Sequence, residues 1–145
     1  MSKIKDIFLV IRKMYNYFTI WVLTLSLLYY LGEFEDYYID LLILHLLISI
    51  ISFNFVYIHP KRLIVDLGVR KFNLEGNILR ILDVLFHHLP FILFLVNKGK
   101  IKKSYLLITL PFIYRLFYDP EKIYGIKDIT ALMIYFFCLS IYLFY

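Results

Sequence analysis

Apolar residues run along this chain in long blocks instead of alternating with polar ones. Five blocks stand out, at residues 15–31, 39–58, 78–96, 104–118 and 129–145, each set off by charged residues, Gly or Pro. A half-buried strand alternates every second residue and an amphipathic helix every third or fourth. The blocks do neither, so they leave no face for water. A membrane-crossing helix needs about 20 apolar residues to span roughly 30 Å of hydrocarbon, and the blocks approach that length, the fourth being short. The first could begin as far back as Ile7, because Ile7 to Val10 is apolar and Arg12 and Lys13 can reach the interface along their alkyl stems. The pattern predicts an all-α fold, a polytopic transmembrane helical bundle of about five spans. Residues 1–145 form a single transmembrane domain on this reading.

Composition sharpens the picture. Hydrophobic residues make up 62% of the chain and aromatics 20%, with a mean hydropathy of +0.76, well beyond an ordinary soluble domain. The net charge of +5 would suit a nucleic-acid binder, but the basic residues are placed otherwise. Lys3, Lys5, Arg12, Lys13, Lys61, Arg62, Arg70 and Lys71 flank apolar blocks, where topology rules place them. No nucleic-acid partner is expected; the expected partners are membrane lipids.

The Lys and Arg bias puts the N-terminus on the cytoplasmic side. All but Lys98, Lys100, Lys102 and Lys103 of the 16 basic residues then fall on that side or near it, and the four exceptions share the 97–103 connection outside. Glu33, Glu35 and Asp36 also fall outside. The first block has no small-residue cleavage site and reads as a span, not as a signal peptide. The longest polar connection, 60–77, has room for a short amphipathic turn. Cys138 is the one cysteine and lies in an apolar block, which offers neither a disulfide framework nor a thiolate metal site.

Ionisable residues inside apolar blocks are costly and point to function. The third block holds Asp83-Val-Leu-Phe-His87-His88-Leu-Pro90, in which Asp83 and His87 are an i, i+4 pair on one helix face. A carboxylate so placed can orient and polarise an imidazole. His88, one residue on, should point about 100° away from that face. The second block adds Asp40, His45 and Asn54, with His59 at its end. Thr19, in the first block, supplies a hydroxyl. If that helix starts near Ile7, Thr19 lies about 12 residues in, roughly 18 Å from its inner end, at a depth that His87 also reaches. A hydroxyl and an imidazole at one level can act as nucleophile and general base. Thr24, Ser26, Ser49, Ser52 and Thr109 are alternatives, though such hydroxyls often bond only to their own helix. The same His and Asp residues can equally serve as interhelical hydrogen bonds.

Three short motifs carry a resemblance. Tyr17-Phe18-Thr19-Ile20, Asp83-x-x-x-His87-x-x-Pro90 and Thr109-Leu110-Pro111-Phe112-Ile113-Tyr114 resemble the pattern of the androgen-induced-gene family of membrane hydrolases and its bacterial and fungal relatives. The resemblance follows segment order over most of the chain. It implies a threonine hydrolase acting on fatty acid esters of hydroxy fatty acids or similar lipid esters, with Thr19 as nucleophile, His87 as base and Asp83 at a position where relatives carry Asp or Asn. No cofactor and no metal is expected, because the spacing of the His and Asp residues argues against a metal site. The chain looks shorter than the animal members, without their first span, and 118–124 replaces their aromatic-proline motif.

Two other classes stay open at this point. A non-catalytic multi-pass scaffold or partner-binding protein requires no convergence of Thr19 with His87. A metal-dependent lipid-modifying enzyme requires His45, His87 and a carboxylate to meet around one point, because a zinc site needs at least three converging ligands. The hydrolase requires the hydroxyl and imidazole near hydrogen-bond reach, with oxyanion donors sought among His88, His45, Asn54 and the Tyr side chains.

Overall fold

Helices form most of the molecule, and the places where they break set its geometry. The structure, a computed structural model, describes residues 2–58 and 63–144; His59, Pro60, Lys61 and Arg62, like Met1 and Tyr145, lie outside them. The helices are α1 (Ser2–Met14), α2 (Phe18–Tyr30), α3 (Tyr38–Phe53), α4 (Gly76–Asp83), α5 (Leu89–Val96), α6 (Leu110–Phe117), α7 (Pro120–Tyr124) and α8 (Asp128–Phe144). The fold is mostly helical, as the apolar blocks predict. Two continuous stretches, Glu35–Phe53 with 19 residues and Gly76–Val96 with 21, are long and apolar enough to cross a membrane; Phe18–Tyr30, Leu107–Phe117 and Asp128–Phe144 are apolar but shorter.

The first apolar block does not run back to Ile7 as one helix. The chain turns at Tyr15, Asn16 and Tyr17, with Tyr17 extended (φ −102°, ψ 124°), before α2 begins. No Pro or Gly marks this break. It is held by side chains that capture the carbonyls it frees: the Trp21 indole Nε1 donates to the Tyr15 carbonyl at 2.7 Å, and the Tyr114 hydroxyl donates to that of Asn16. Thr19 is therefore the second residue of a helix, not a residue far inside one. The separate α1 turns Ile4, Ile7, Phe8 and Ile11 outwards, an apolar stripe at i, i+3, i+4 and i+7.

Helix α3 is the axis, with α2, α5 and α8 packed along it; Tyr38 to Leu44 and Leu47 are all buried. Asp40 sits in its first turn, fully buried, and ties three segments together. Its carboxylate accepts from the Ser104 N–H at 3.2 Å and hydroxyl at 2.5 Å, the Ile108 N–H at 3.2 Å and the Tyr142 hydroxyl at 2.7 Å. A buried charge is tolerated only with such a set of donors. Beside it, Lys100 lies 3.7 Å from Asp36 and 3.9 Å from Glu35, and Lys102 lies 3.5 Å from Asp36. The lysine-rich connection thus faces the acidic cluster.

The 60–77 connection holds more than an amphipathic turn. Strands β1 (Leu63–Asp66) and β2 (Lys71–Leu74) form an antiparallel hairpin with Leu63 opposite Leu74 and Val65 opposite Phe72. Leu63 and Leu74 pack on the buried pair Val56 and Leu79. At the turn, Gly68 has φ +84°, and a Cβ there would stand 2.6 Å from the Leu9 side chain of α1. That contact explains the glycine and fixes the hairpin tip against α1.

Candidate functional site

Pro90 shapes the site. It has no N–H to donate to the Phe86 carbonyl, and its ring crowds the preceding turn. The chain responds with a widened π-type turn over Val84–His88, closed by an i→i+5 bond from the Leu89 N–H to the Val84 carbonyl. Such turns are rare and gather at functional sites. Here the turn corrects the expectation for His88. Because one turn now holds more residues than an α-helical turn, His88 swings back to the face of Asp83, five residues before it.

Asp83 consequently binds both imidazoles. Oδ1 lies 2.7 Å from His87 Nδ1, and Oδ2 lies 2.7 Å from His88 Nε2. A carboxylate only accepts, so each of those ring nitrogens carries a proton. The opposite nitrogens are then acceptors in the neutral rings. His87 Nε2 lies 3.1 Å from Thr19 Oγ1, and His88 Nδ1 lies 2.5 Å from Ser49 Oγ. The result is a chain of hydroxyl, imidazole, carboxylate, imidazole and hydroxyl centred on Asp83, whose side chain is 1% exposed. The break before α2 does not prevent the meeting of Thr19 with His87; it places that meeting at the start of α2.

The other candidates lie elsewhere. His45 Nε2 pairs with Ser26 Oγ at 2.7 Å, the Ser26 hydroxyl donates to the Val22 carbonyl, and the His45 ring packs on Phe94 at 4.7 Å. This makes His45 a buried interhelical link, with its Nδ1 unpaired. Asp40 is engaged as described. Among the described residues no three of His, Cys, Asp and Glu lie close enough together to hold a metal ion, so His45, His87 and a carboxylate do not meet as the metalloenzyme alternative requires. His59 lies outside the described residues.

A cavity of about 470 Å³ opens on one side of this array, with Thr19, Asp83 and His87 in a wall that is otherwise largely apolar. His88 and Ser49 are not part of that wall. In the first turn of α2 the N–H groups beside Thr19 are engaged, that of Ile20 with the Tyr17 carbonyl at 3.1 Å. The Phe18 N–H donates to the Tyr124 hydroxyl at 2.6 Å, and Tyr124 also lines the cavity. Burial pushes the Tyr124 phenol up to about 12, against the opposing pull of the Phe18 N–H, so it stays protonated at neutral pH.

Sequence reasoning did not assign Ser49 its role, nor single out Tyr124 or the hairpin. A signal for Ser49 existed: His45, Ser49 and Ser52 recur at i, i+4 and i+7 and form a polar stripe on α3 facing the other helices. Tyr124 had none, being one of 14 tyrosines. No protein-family model, no curated protein and no solved structure matches this chain.

Proposed function

We propose that the protein is a multi-pass membrane hydrolase of lipid esters that uses Thr19 as nucleophile, His87 as general base and Asp83 as the group that orients His87. The observation that carries the reading is the 3.1 Å contact between Thr19 Oγ1 and His87 Nε2, with Asp83 2.7 Å behind the ring. Residues 19 and 87 lie on different helices, and a hydroxyl, an imidazole and a carboxylate in that order activate an oxygen nucleophile.

The membrane setting rests on the two long apolar helices and three shorter ones, and on the apolar outer surface, where Leu93, Val96, Leu116, Phe117, Phe137 and Phe144 are exposed. Water would not tolerate so much exposed apolar surface on a monomer; hydrocarbon would. The five apolar helices are read as passes with the N-terminus cytoplasmic, which leaves α1 and its basic residues at the inner interface.

In this reading Thr19 attacks the ester carbonyl as its hydroxyl proton passes to His87 Nε2, and the imidazolium is stabilised by Asp83. The carbonyl oxygen becomes an oxyanion beside the first turn of α2. The positive end of that helix favours negative charge there, while its first N–H groups are held by the Tyr124 hydroxyl and the Tyr17 carbonyl. His87 returns the proton to the departing alkoxide, leaving a Thr19 acyl ester. Water, deprotonated by the same Nε2, then releases the acid and restores the hydroxyl. A nucleophile at the start of α2 lies towards the inner interface, where water is within reach.

Labelling by a fluorophosphonate probe tests the reading on wild type, Thr19→Ala and His87→Ala at matched expression. Labelling of wild type alone is the expected result. An unlabelled wild type, or labelling indifferent to both changes, overturns it.

A further inference from the structure

The hairpin has a use that its size alone does not explain. Two-stranded hairpins are marginal in water, and this one presents a single apolar face. The register puts Leu63, Val65, Phe72 and Leu74 on that face and Ile64, Asp66, Lys71 and Asn73 on the other, because side chains alternate across a strand and opposed partners share a side. All four residues of the first set line the cavity that holds Thr19 and His87, and none of the second set does. The hairpin is therefore a wall of the candidate site, not a connector lying beside it.

The four residues divide by what else they touch. Leu63 and Leu74 are anchored on Val56 and Leu79, whereas Val65 and Phe72 are cross-strand partners outside that cluster. The hairpin tip is held by the contact of Gly68 with Leu9. The wall is thus fixed at its base and at its tip, and Val65 and Phe72 present apolar side chains to the cavity between these points.

We propose that Val65 and Phe72 determine specificity, setting the length and bulk of the unbranched apolar tail accepted by the site when the tail's carbonyl group is on Thr19. The occupant is the hydrocarbon chain of a single-tailed ester. A wall of alkyl and phenyl groups offers such a chain burial without any hydrogen bond. This inference rests on the hydrolase reading for the position of the carbonyl, but the tail-binding wall can be tested apart from catalysis.

The test uses the full chain in detergent micelles, with three fluorophosphonates, bearing a long straight alkyl chain, a branched alkyl chain and a methyl group, together with a fluorescent long-chain alkyl amphiphile as a binding probe. Val65→Trp fills the space and Phe72→Ala enlarges it. Val65→Trp is expected to lower the ratio of long-chain to methyl labelling by about tenfold, the scale on which apolar pockets discriminate. Phe72→Ala is expected to admit the branched chain that wild type rejects, and so to lower the ratio of straight-chain to branched-chain labelling. Labelling with unchanged chain selectivity in both variants overturns the wall while leaving the hydrolase standing. If wild type takes none of the fluorophosphonates but binds the amphiphile, and Val65→Trp abolishes that binding, the hydrolase falls and the wall stands. If the amphiphile is bound equally by wild type and both variants, the wall is overturned on that measurement as well.

Discussion

Asp83 and His88 are five residues apart, yet Oδ2 of the one lies 2.7 Å from Nε2 of the other, a pairing that straight α-helical geometry does not offer. The widened turn that allows it gives Asp83 two imidazoles to hold, with only His87 facing the cavity. The two arms differ accordingly: Thr19 and His87 have access to a ligand, while His88 and Ser49 hold the far side of the carboxylate.

Asp83→Asn tests the carboxylate. An amide can donate where the carboxylate accepts, and it presses His87 towards the wrong tautomer while keeping the shape. We expect hydrolysis to fall by on the order of 10³ to 10⁴-fold, with the thermal midpoint in detergent moving far less than the rate. A rate within a few-fold of wild type would remove Asp83 from the mechanism.

Ser49→Ala tests the other arm. The loss of the hydroxyl on His88 Nδ1 leaves Thr19 and His87 in place, so the expected effect is that of an indirect orienting contact, a reduction of about 10 to 100-fold. Ser49→Thr should restore most of the rate. A variant as inactive as Thr19→Ala would show that Ser49 is indispensable to the site and not an indirect orienting contact.

Asp40→Ala should act on stability alone. It strands the Ser104 and Ile108 N–H groups and the Tyr142 hydroxyl in a buried place, at a cost of roughly 3 to 5 kcal/mol. Denaturant unfolding in mixed micelles measures it. Protein that remains folded should still label at Thr19.

Tyr124 gives a pH dependence with a definite sign. Its folded value is raised from 10.0 to about 12, so folding favours the protonated phenol. The stability this contributes is complete below pH 10 and is lost as pH rises through about 12. Tyr124→Phe should flatten the alkaline limb of a melting-temperature profile between those values. An unchanged limb would show that another group controls it.

The sequence revealed some of this geometry and hid the rest for identifiable reasons. The Asp83 and His87 pair was legible because i, i+4 spacing holds where the chain starts to widen. His88 was not, because a single extra residue in a turn moves a side chain by about a quarter of a revolution. Equal depth along the helices brings Thr19 to the level of His87, although α2 starts at Phe18 and not near Ile7. No residue in Tyr15-Asn16-Tyr17 announces a break that Trp21 and Tyr114 secure from elsewhere in the sequence. The hairpin was concealed by a connection rich in charge, although Gly68 and the alternation of Leu63, Val65, Phe72 and Leu74 were present.

The turn before Pro90 also fixes the phase of everything after it. Leu89–Val96 faces its neighbours about one residue out of step with an uninterrupted α-helix begun at Gly76. A relative that lacks the proline and keeps an ordinary helix there would need one residue fewer between the aspartate and the C-terminal half of the helix to present the same side chains to α3. The proline and the length of that segment should therefore change together over descent.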